Sequence, residues 1–223
     1  MSLKLLLGAM SVSALLALAA CNVQAQARPL TYVAIGASDA VGVGAANPET
    51  DGWVPRLGAR LGGDVRVVNL GVSGSTLSQA LQEQLGPALD AQPDVVTVWL
   101  AVNDFNAQVP LDEYAADLDT LLGDLETTHA RVLVGNVPDL GALAAYRGID
   151  PTPLRDEVDN WNAVIADTTE RHGATLVDLH SHWQDIAEHP EYLSSDGFHP
   201  SSDGYQALAD VFAAALQQSS AGT

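Results

Sequence analysis

Val95-Val96-Thr97-Val98-Trp99-Leu100 is an unbroken run of apolar and β-branched residues without a charged side chain. Such a run is typical of a strand that is buried on both faces of a parallel sheet, whereas a strand with one solvated face alternates apolar and polar residues. Asn103 and Asp104 follow the run almost at once. The segment therefore predicts a buried parallel strand with polar residues near its carboxyl end.

Strands and amphipathic helices alternate on both sides of this segment. The other predicted strands are Leu30–Ile35, Val65–Leu70, Arg131–Val137 and Thr175–Leu179. The predicted helices are Trp53–Leu61, Leu77–Leu89, Leu111–Thr128, Leu154–His172 and Ser201–Gln217. Alternation of this kind indicates a parallel sheet with helices on both faces. Five strands fit a flavodoxin-like, doubly wound α/β fold, which is a three-layer α/β/α sandwich.

The overall composition favours one globular domain and disfavours nucleic-acid binding. The chain has 223 residues, of which 47 % are hydrophobic, enough for one domain with a full core. Its formal net charge is −19, from 28 acidic and 9 basic residues. Phosphate binding relies on clusters of Lys and Arg, and the sequence contains no basic run. Cys21 is the only cysteine, so neither an intrachain disulfide nor a cysteine metal site is expected.

The N-terminal segment predicts export. Lys4 is followed by the apolar run Leu5–Ala20, which is short for a membrane span and typical of a signal peptide. Leu18-Ala19-Ala20-Cys21 resembles the lipobox of bacterial lipoproteins, in which the cysteine becomes the lipidated N-terminus. Cleavage after Ala27 is the alternative. The first reading predicts a cell-envelope lipoprotein, and the second predicts a soluble secreted or periplasmic protein.

The domain boundaries follow from this segment. We expect residues 1–20 to be a signal peptide of the lipoprotein type, 21–29 to be a tether and 30–223 to be the folded domain. The only expected contact with a membrane is the lipid on the tether. No internal repeat and no linker long enough to separate a second domain is present in 30–223.

Polar residues follow four of the predicted strands. Gly36-Ala37-Ser38-Asp39 follows the first strand, Asn69–Thr76 follows the second, Asn103-Asp104 follows the third, and Asp196-Gly197-Phe198-His199 comes after the fifth. Because the carboxyl ends of parallel strands lie at one edge of a sheet, these four segments are expected to converge there. Polar residues crowded beyond the ends of apolar strands indicate a binding or catalytic site.

The residue types in these segments suit nucleophilic catalysis. Ser38 is the candidate nucleophile, His199 is the base that would take its proton, and Asp196 is the carboxylate that would orient the imidazole. Attack on an acyl carbon creates an oxyanion, which needs preorganised hydrogen-bond donors. The backbone N–H groups of Ser38 and Gly74 and the side-chain amide of Asn103 are the candidate donors.

The order and context of Ser38, Gly74, Asn103 and His199 resemble the four signature blocks of the SGNH, or GDSL-type, hydrolases. The resemblance covers nearly all of the chain after the tether, and it implies a five-stranded flavodoxin-like fold with esterase or lipase activity. It also implies a catalytic triad of Ser38, His199 and Asp196. The implied oxyanion hole comprises Ser38, Gly74 and Asn103, and the implied mechanism is an acyl-enzyme that needs no metal or cofactor.

The sequence departs from the family pattern in two of the four blocks. The Gly-Asp-Ser-Leu of the family reads Gly36-Ala37-Ser38-Asp39 here, and Ala101 stands where the third block usually has a glycine. None of these residues carries the chemistry, but Asp39 would add negative charge near the mouth of the pocket. The departures therefore bear on the substrate more than on the mechanism.

Three functions are compatible with these patterns. The first is an exported serine esterase that acts on a small ester, a lipid or an acylated carbohydrate, with short- to medium-chain acyl esters or acetyl groups on carbohydrate favoured. The second is a lipid-anchored protein that binds cell-envelope glycans on a fold that has lost its catalysis. The third is acyl transfer to a sugar or lipid acceptor by the same serine.

Several of the polar residues have structural alternatives. Ser38 alone would be an ordinary turn residue, and Asn103 with Asp104 would cap a helix. His180 and His182 form a His-x-His pair, but this spacing alone does not show converging ligands, so no metal site is expected. The irregular segment 138–153, rich in Gly, Ala and Pro, is either a wall or lid of the pocket or a passive surface loop.

Overall fold

The computed structural model describes residues 28–182 and 189–221 of the chain. The predicted signal peptide, Cys21 and most of the predicted tether lie outside the described residues. Within the two described ranges, no helix combines the length and the apolar composition that crossing a bilayer requires.

Five parallel strands form one sheet in the order β2-β1-β3-β4-β5. The strands are β1 (Leu30–Gly36), β2 (Val65–Asn69), β3 (Val95–Trp99), β4 (Arg131–Gly135) and β5 (Thr175–Val177). This is the strand order of flavodoxin-like doubly wound proteins. The predicted fold class, a three-layer α/β/α sandwich around a five-stranded parallel sheet, is confirmed.

The two central strands are apolar because both faces of the sheet are covered. Every residue of β3 is buried, and every residue of β1 after Leu30 is buried. The strands pair in register, with Ala34 opposite Thr97 and Gly36 opposite Trp99. The carboxyl ends of β1 and β3 therefore lie side by side, and the polar segments that follow them begin next to each other.

The helices cover both faces of the sheet. They are α1 (Ser38–Val41), α2 (Pro48–Asp51), α3 (Trp53–Arg60), α4 (Leu77–Glu83), α5 (Leu85–Asp90), α6 (Ala101–Asn106), α7 (Leu111–Glu126), α8 (Pro151–Arg171), α9 (Leu179–His182) and α10 (Ser202–Ala221). α3 packs against α10 on one face, and α7 packs against α4 and α8 on the other. Trp53 is fully buried and stacks on Phe212 with the ring centroids 4.4 Å apart, so this tryptophan belongs to the core.

One predicted helix is interrupted. The periodicity predicts a single helix over Leu77–Leu89, but α4 ends at Glu83 and α5 begins at Leu85. Pro87 explains the break, because proline lacks an N–H and its ring clashes with the carbonyl four residues earlier in a continuous helix. The chain turns at Gln84, whose φ is −107°.

Other helix boundaries differ from the prediction by a few residues. The long helix expected from Leu154 begins at Pro151, because Asp150 accepts the Thr152 N–H at 3.0 Å and proline suits the first turn. The last helix begins at Ser202, one residue later than expected. The short helices α1, α2 and α6 were not predicted, since one or two helical turns leave too little periodicity to recognise.

Candidate active site

Ser38, His199 and Asp196 form one hydrogen-bonded chain. Ser38 Oγ lies 2.9 Å from His199 Nε2, and His199 Nδ1 lies 2.7 Å from Asp196 Oδ2. Ser38 is 8 % exposed and the His199 side chain is 17 % exposed, so both are largely shielded from water. The structure thus brings together three side chains from opposite ends of the folded domain.

A tight turn holds the Asp196 carboxylate against the imidazole. Asp196 Oδ1 accepts hydrogen bonds from the backbone N–H groups of Phe198 and His199 at 2.8 and 2.9 Å. The Ser194 hydroxyl donates to the same oxygen at 2.8 Å. Partial burial disfavours the charge, but the bond to His199 and these three donors outweigh it and hold the pKa of Asp196 well below its usual range. The carboxylate is therefore ionised at neutral pH, as the orientation of an imidazole requires.

Ser38 is the first residue of α1 and lies just beyond the end of β1. The N–H of the first helical residue has no acceptor within its own helix, so the Ser38 N–H is available to a ligand. The next residue, Asp39, is partly buried. Burial raises the pKa of Asp39 to about 6, although the nearby His199 favours the ionised form. Asp39 is therefore mostly charged at neutral pH and loses this charge in mildly acidic solution.

The loop after β2 places Gly74 at the same edge of the sheet. The Val72 N–H donates to the Gly36 carbonyl at 3.2 Å, which ties this loop to the end of β1. The Ser75 N–H donates to the Val72 carbonyl at 3.0 Å and closes a four-residue turn. Gly74, the third residue of this turn, has φ of +81°, as a type II turn requires. Within the described residues the Gly74 N–H has no acceptor, so it remains available as a donor.

Asn103 and Asp104 lie inside α6 rather than at its N-cap. Asn103 Nδ2 donates to the Ser75 carbonyl at 2.9 Å, which uses one of its two amide hydrogens and leaves the other. The buried Asp104 accepts the Leu77 N–H with both carboxylate oxygens, at 3.0 and 3.1 Å. Burial raises the pKa of Asp104 to about 6, against the effect of this hydrogen bond. The alternative that Asp104 caps a helix therefore holds for α4, because its carboxylate accepts the N–H of the first residue of that helix.

The 138–153 segment packs against the turn that carries His199. The Tyr146 hydroxyl donates to Asn106 Oδ1 at 2.5 Å, and the Tyr146 ring lies 6.4 Å from the Phe198 ring. Phe198 in turn packs edge-on against His199 with the ring centroids 4.9 Å apart. The segment thus reaches from the end of α6 to the His199 turn. These contacts favour the interpretation as a wall of the site over that of a passive surface loop.

The polar residues around the His-x-His pair have other partners. Asp178 accepts the Ser181 hydroxyl at 2.6 Å and the Asn136 amide at 3.0 Å, and Asn136 Oδ1 accepts the His180 backbone N–H at 3.0 Å. In the ranges 28–182 and 189–221, no group of three or more His, Cys, Asp or Glu side chains is placed to hold a metal ion.

Comparison with known proteins gives the family. Residues 34–207 match the model of the GDSL-like lipase/acylhydrolase family. The chain belongs to this family. An acetylxylan esterase of Geobacillus stearothermophilus is 29 % identical over 160 residues, which cover 66 % of this chain and 70 % of that protein. The GDSL family and this relative support a carboxylic ester hydrolase.

Two solved structures have the same fold as this chain. TesA matches with a TM-score of 0.71 at 21 % identity, over 85 % of this chain and 99 % of that one. Axe2, an acetylxylan esterase of Geobacillus stearothermophilus, matches with a TM-score of 0.66 at 23 % identity, over 84 % of this chain and 94 % of that one.

In this GDSL-like hydrolase, two of the three residues that depart from the family pattern are buried. Ala37 is 3 % exposed and Ala101 is fully buried. These two side chains therefore pack in the core next to the site rather than line it. The third, Asp39, is partly buried and places a carboxylate beside Ser38.

Proposed function

We propose that this GDSL-like hydrolase cleaves carboxylic esters through an acyl-enzyme on Ser38, with His199 as general base and acid and Asp196 as its orienting partner. The support is the continuous chain of hydrogen bonds from the Ser38 hydroxyl to the Asp196 carboxylate, at 2.9 and 2.7 Å. A carboxylate against Nδ1 keeps the imidazole proton on that nitrogen, so Nε2 is free to accept the hydroxyl proton.

During acylation the proton moves from Ser38 to His199 and then to the departing alcohol. Ser38 Oγ attacks the acyl carbon while its proton passes to His199 Nε2. When the tetrahedral intermediate collapses, the bond between the acyl carbon and the alkoxy oxygen breaks, and Nε2 gives the proton to the departing alcohol. In deacylation, a water molecule gives a proton to Nε2 and adds to the acyl carbon, and collapse releases the acid and restores the Ser38 hydroxyl.

The oxyanion would be stabilised by three donors from three strand ends. The Ser38 and Gly74 backbone N–H groups and the remaining Asn103 amide hydrogen are available for this role. Each donor of this kind is typically worth about 2.7–4 kcal/mol in the transition state, because it is oriented before the charge develops.

We propose acetyl and other short acyl groups on a carbohydrate as the substrate class. One support is the relative described as an acetylxylan esterase. The other is the aromatic pair Phe198 and Tyr146 beside His199. Because His199 delivers the proton to the leaving alcohol, neighbouring side chains contact the alcohol portion of the ester. Aromatic faces carry partial negative charge and suit the C–H faces of a sugar ring.

The experiment is hydrolysis by Ser38→Ala. We expect kcat for p-nitrophenyl acetate and for acetylated xylan to fall by about 10⁴-fold or more, because the attacking atom is lost. Labelling by a fluorophosphonate should disappear as well. Ser195→Ala, at an exposed serine of the His199 turn, is the matched control and should retain full activity. A Ser38→Ala enzyme with near-normal hydrolysis refutes the proposed nucleophile.

The substrate class is tested separately with the wild-type enzyme. p-Nitrophenyl esters from acetyl to palmitoyl are compared with acetylated xylan and a lysophospholipid, with and without competing alcohol acceptors. We expect the highest kcat/KM for short acyl esters, and release of acetate from xylan. A preference for palmitoyl esters or the lysophospholipid contradicts the substrate class, and transfer of most acyl groups to the added alcohol contradicts hydrolysis.

A further inference from the structure

Gln84 is a buried amide that makes three hydrogen bonds at the active-site edge. It is 2 % exposed and lies at the break between α4 and α5. Its Oε1 accepts the Gly36 N–H at 3.0 Å, and its Nε2 donates to the Gly36 carbonyl at 3.1 Å and to the Ser75 hydroxyl at 3.2 Å. Both amide hydrogens are therefore used.

The orientation of this amide is determined by its partners. A rotation that exchanges the oxygen and the nitrogen would place NH₂ against the Gly36 N–H and the amide oxygen against the Gly36 carbonyl. Donor would then face donor and acceptor would face acceptor, in a site without access to water. Only one orientation of Gln84 satisfies both backbone groups of Gly36, and this orientation directs the second Nε2 hydrogen to Ser75.

The two partners of Gln84 belong to two different parts of the site. Gly36 is two residues before Ser38, at the end of β1. Ser75 follows Gly74, and its carbonyl accepts the Asn103 amide at 2.9 Å. One side chain thus connects the strand end that carries the proposed nucleophile to the loop that carries Gly74 and accepts a hydrogen bond from Asn103.

Asn162 provides a comparison, because its side chain satisfies the backbone groups beyond another strand. It bonds both backbone groups of Val137, just beyond β4, at 2.8 Å from the N–H and 2.9 Å to the carbonyl. Within the described part of the chain, the Asn162 side chain makes no further hydrogen bond. Gln84 makes the same pair of bonds and adds the one to Ser75, so this third bond is not needed to satisfy the backbone at a strand end.

We infer that Gln84 is a positioning residue, which fixes the distance between Ser38 and the oxyanion donors Gly74 and Asn103. The inference rests on the proposed function, since it assigns Gln84 to the same transition state. A donor that is displaced by a few tenths of an ångström still permits substrate binding but stabilises the oxyanion less, so the effect falls on kcat. Gln84 contacts none of the reacting atoms.

The test compares Gln84→Met with Asn162→Leu. Each substitution replaces the amide by an apolar side chain of similar length and removes the two backbone bonds at a strand end, but only Gln84→Met removes the bond to Ser75. With p-nitrophenyl acetate, we expect Gln84→Met to lower kcat about 10- to 100-fold with KM within about twofold of wild type, because part of the stabilisation by a displaced donor is lost. Asn162→Leu should keep kcat within about twofold.

Phenylboronic acid provides the readout that a purely structural role would not change. It adds to a serine hydroxyl as a tetrahedral adduct, so its inhibition constant should rise in Gln84→Met by the same factor by which kcat falls. The fraction of folded enzyme is determined by fluorophosphonate titration before either measurement. Equal losses of kcat in Gln84→Met and Asn162→Leu, or an unchanged boronate constant in Gln84→Met, overturn the inference.

Ser75→Ala keeps the proposal testable if Gln84→Met does not fold. It removes the hydroxyl that accepts from Gln84 Nε2 and leaves both bonds to Gly36 in place. We expect kcat to fall about 5- to 10-fold, with a matching rise in the boronate constant. If kcat and the boronate inhibition constant of Ser75→Ala both equal the wild-type values, the inference is overturned. Failure of the proposed function is recognised separately, because in that case Ser38→Ala retains activity whatever Gln84 does.

Discussion

Asp196→Asn separates the two tasks of the Asp196 carboxylate, which are to hold the loop and to orient the imidazole. The asparagine oxygen can occupy the position of Oδ1 and still accept from the Phe198 and His199 N–H groups and the Ser194 hydroxyl. In the wild-type protein, Asp196 Oδ2 lies 2.7 Å from His199 Nδ1. The amide NH₂ of the variant takes the place of this oxygen. The loop should therefore keep its shape, and the melting temperature should fall only slightly.

The expected loss of activity follows from the tautomer. An NH₂ group donates to Nδ1, so the imidazole proton must move to Nε2, the nitrogen that lies 2.9 Å from the Ser38 hydroxyl. A protonated Nε2 cannot accept the serine proton. We expect kcat to fall by about 10⁴-fold, which corresponds to about 5.4 kcal/mol of transition-state stabilisation.

The assay is hydrolysis of p-nitrophenyl acetate, with circular dichroism to confirm the fold. Asp178→Asn is the matched control, because Asp178 also accepts a backbone N–H and a hydroxyl of one neighbour, Ser181, at 3.1 and 2.6 Å. The control should retain wild-type kcat. A folded Asp196→Asn enzyme with kcat within about tenfold of wild type refutes the assignment of His199 as a base oriented by Asp196.

Two further predictions concern stability and the oxyanion loop. Burial disfavours the charged form of His172, but hydrogen bonds to Glu126 at 2.6 Å and to Asp119 at 3.1 Å outweigh it and raise the pKa of His172 above 6.5. The protonated His172 therefore stabilises the folded protein below about pH 6.5, and this contribution is lost as pH rises through the raised pKa. His172→Gln should therefore lower the calorimetric melting temperature by about 2 °C more at about pH 5.5 than at about pH 8.5, and equal losses would contradict this. At Gly74 a β-carbon meets no atom within 4 Å, but φ is +81°, so Gly74→Ala should strain the turn and lower kcat about 10-fold or more with little loss of melting temperature. Unchanged kcat in the folded variant would contradict the expected displacement of the residue-74 N–H.

Strand positions were predictable because a strand in a covered parallel sheet must be apolar over its whole length. Val95–Trp99 and the residues of Leu30–Gly36 after Leu30 are completely buried, and their sequences contain no polar alternation that would indicate a solvated face. The sheet order could be inferred only as a class, since the alternation of strands and helices is compatible with several doubly wound orders.

Helix boundaries were less predictable because local chemistry competes with periodicity. The leucine spacing across Leu77–Leu89 favours one helix, but Pro87 breaks it at Gln84. The sequence signal for this break was Pro87, three residues after Gln84. Nothing in the sequence indicates that the Gln84 side chain turns towards Gly36, since its three bonds depend on where β1 and the Ser75 loop pass.

The sequence by itself specified the local pairing of Asp196 with His199, because three residues and a glycine turn suffice to bring a carboxylate to an imidazole. It also specified the apolar strands and the polar segments beyond them, and the prediction of lipidation at Cys21 depends on sequence alone. The 2.9 Å contact of Ser38 with His199, 161 positions away, required the folded sheet. Contacts between distant segments depend on the crossover helices that set strand order, and no short stretch of sequence encodes them.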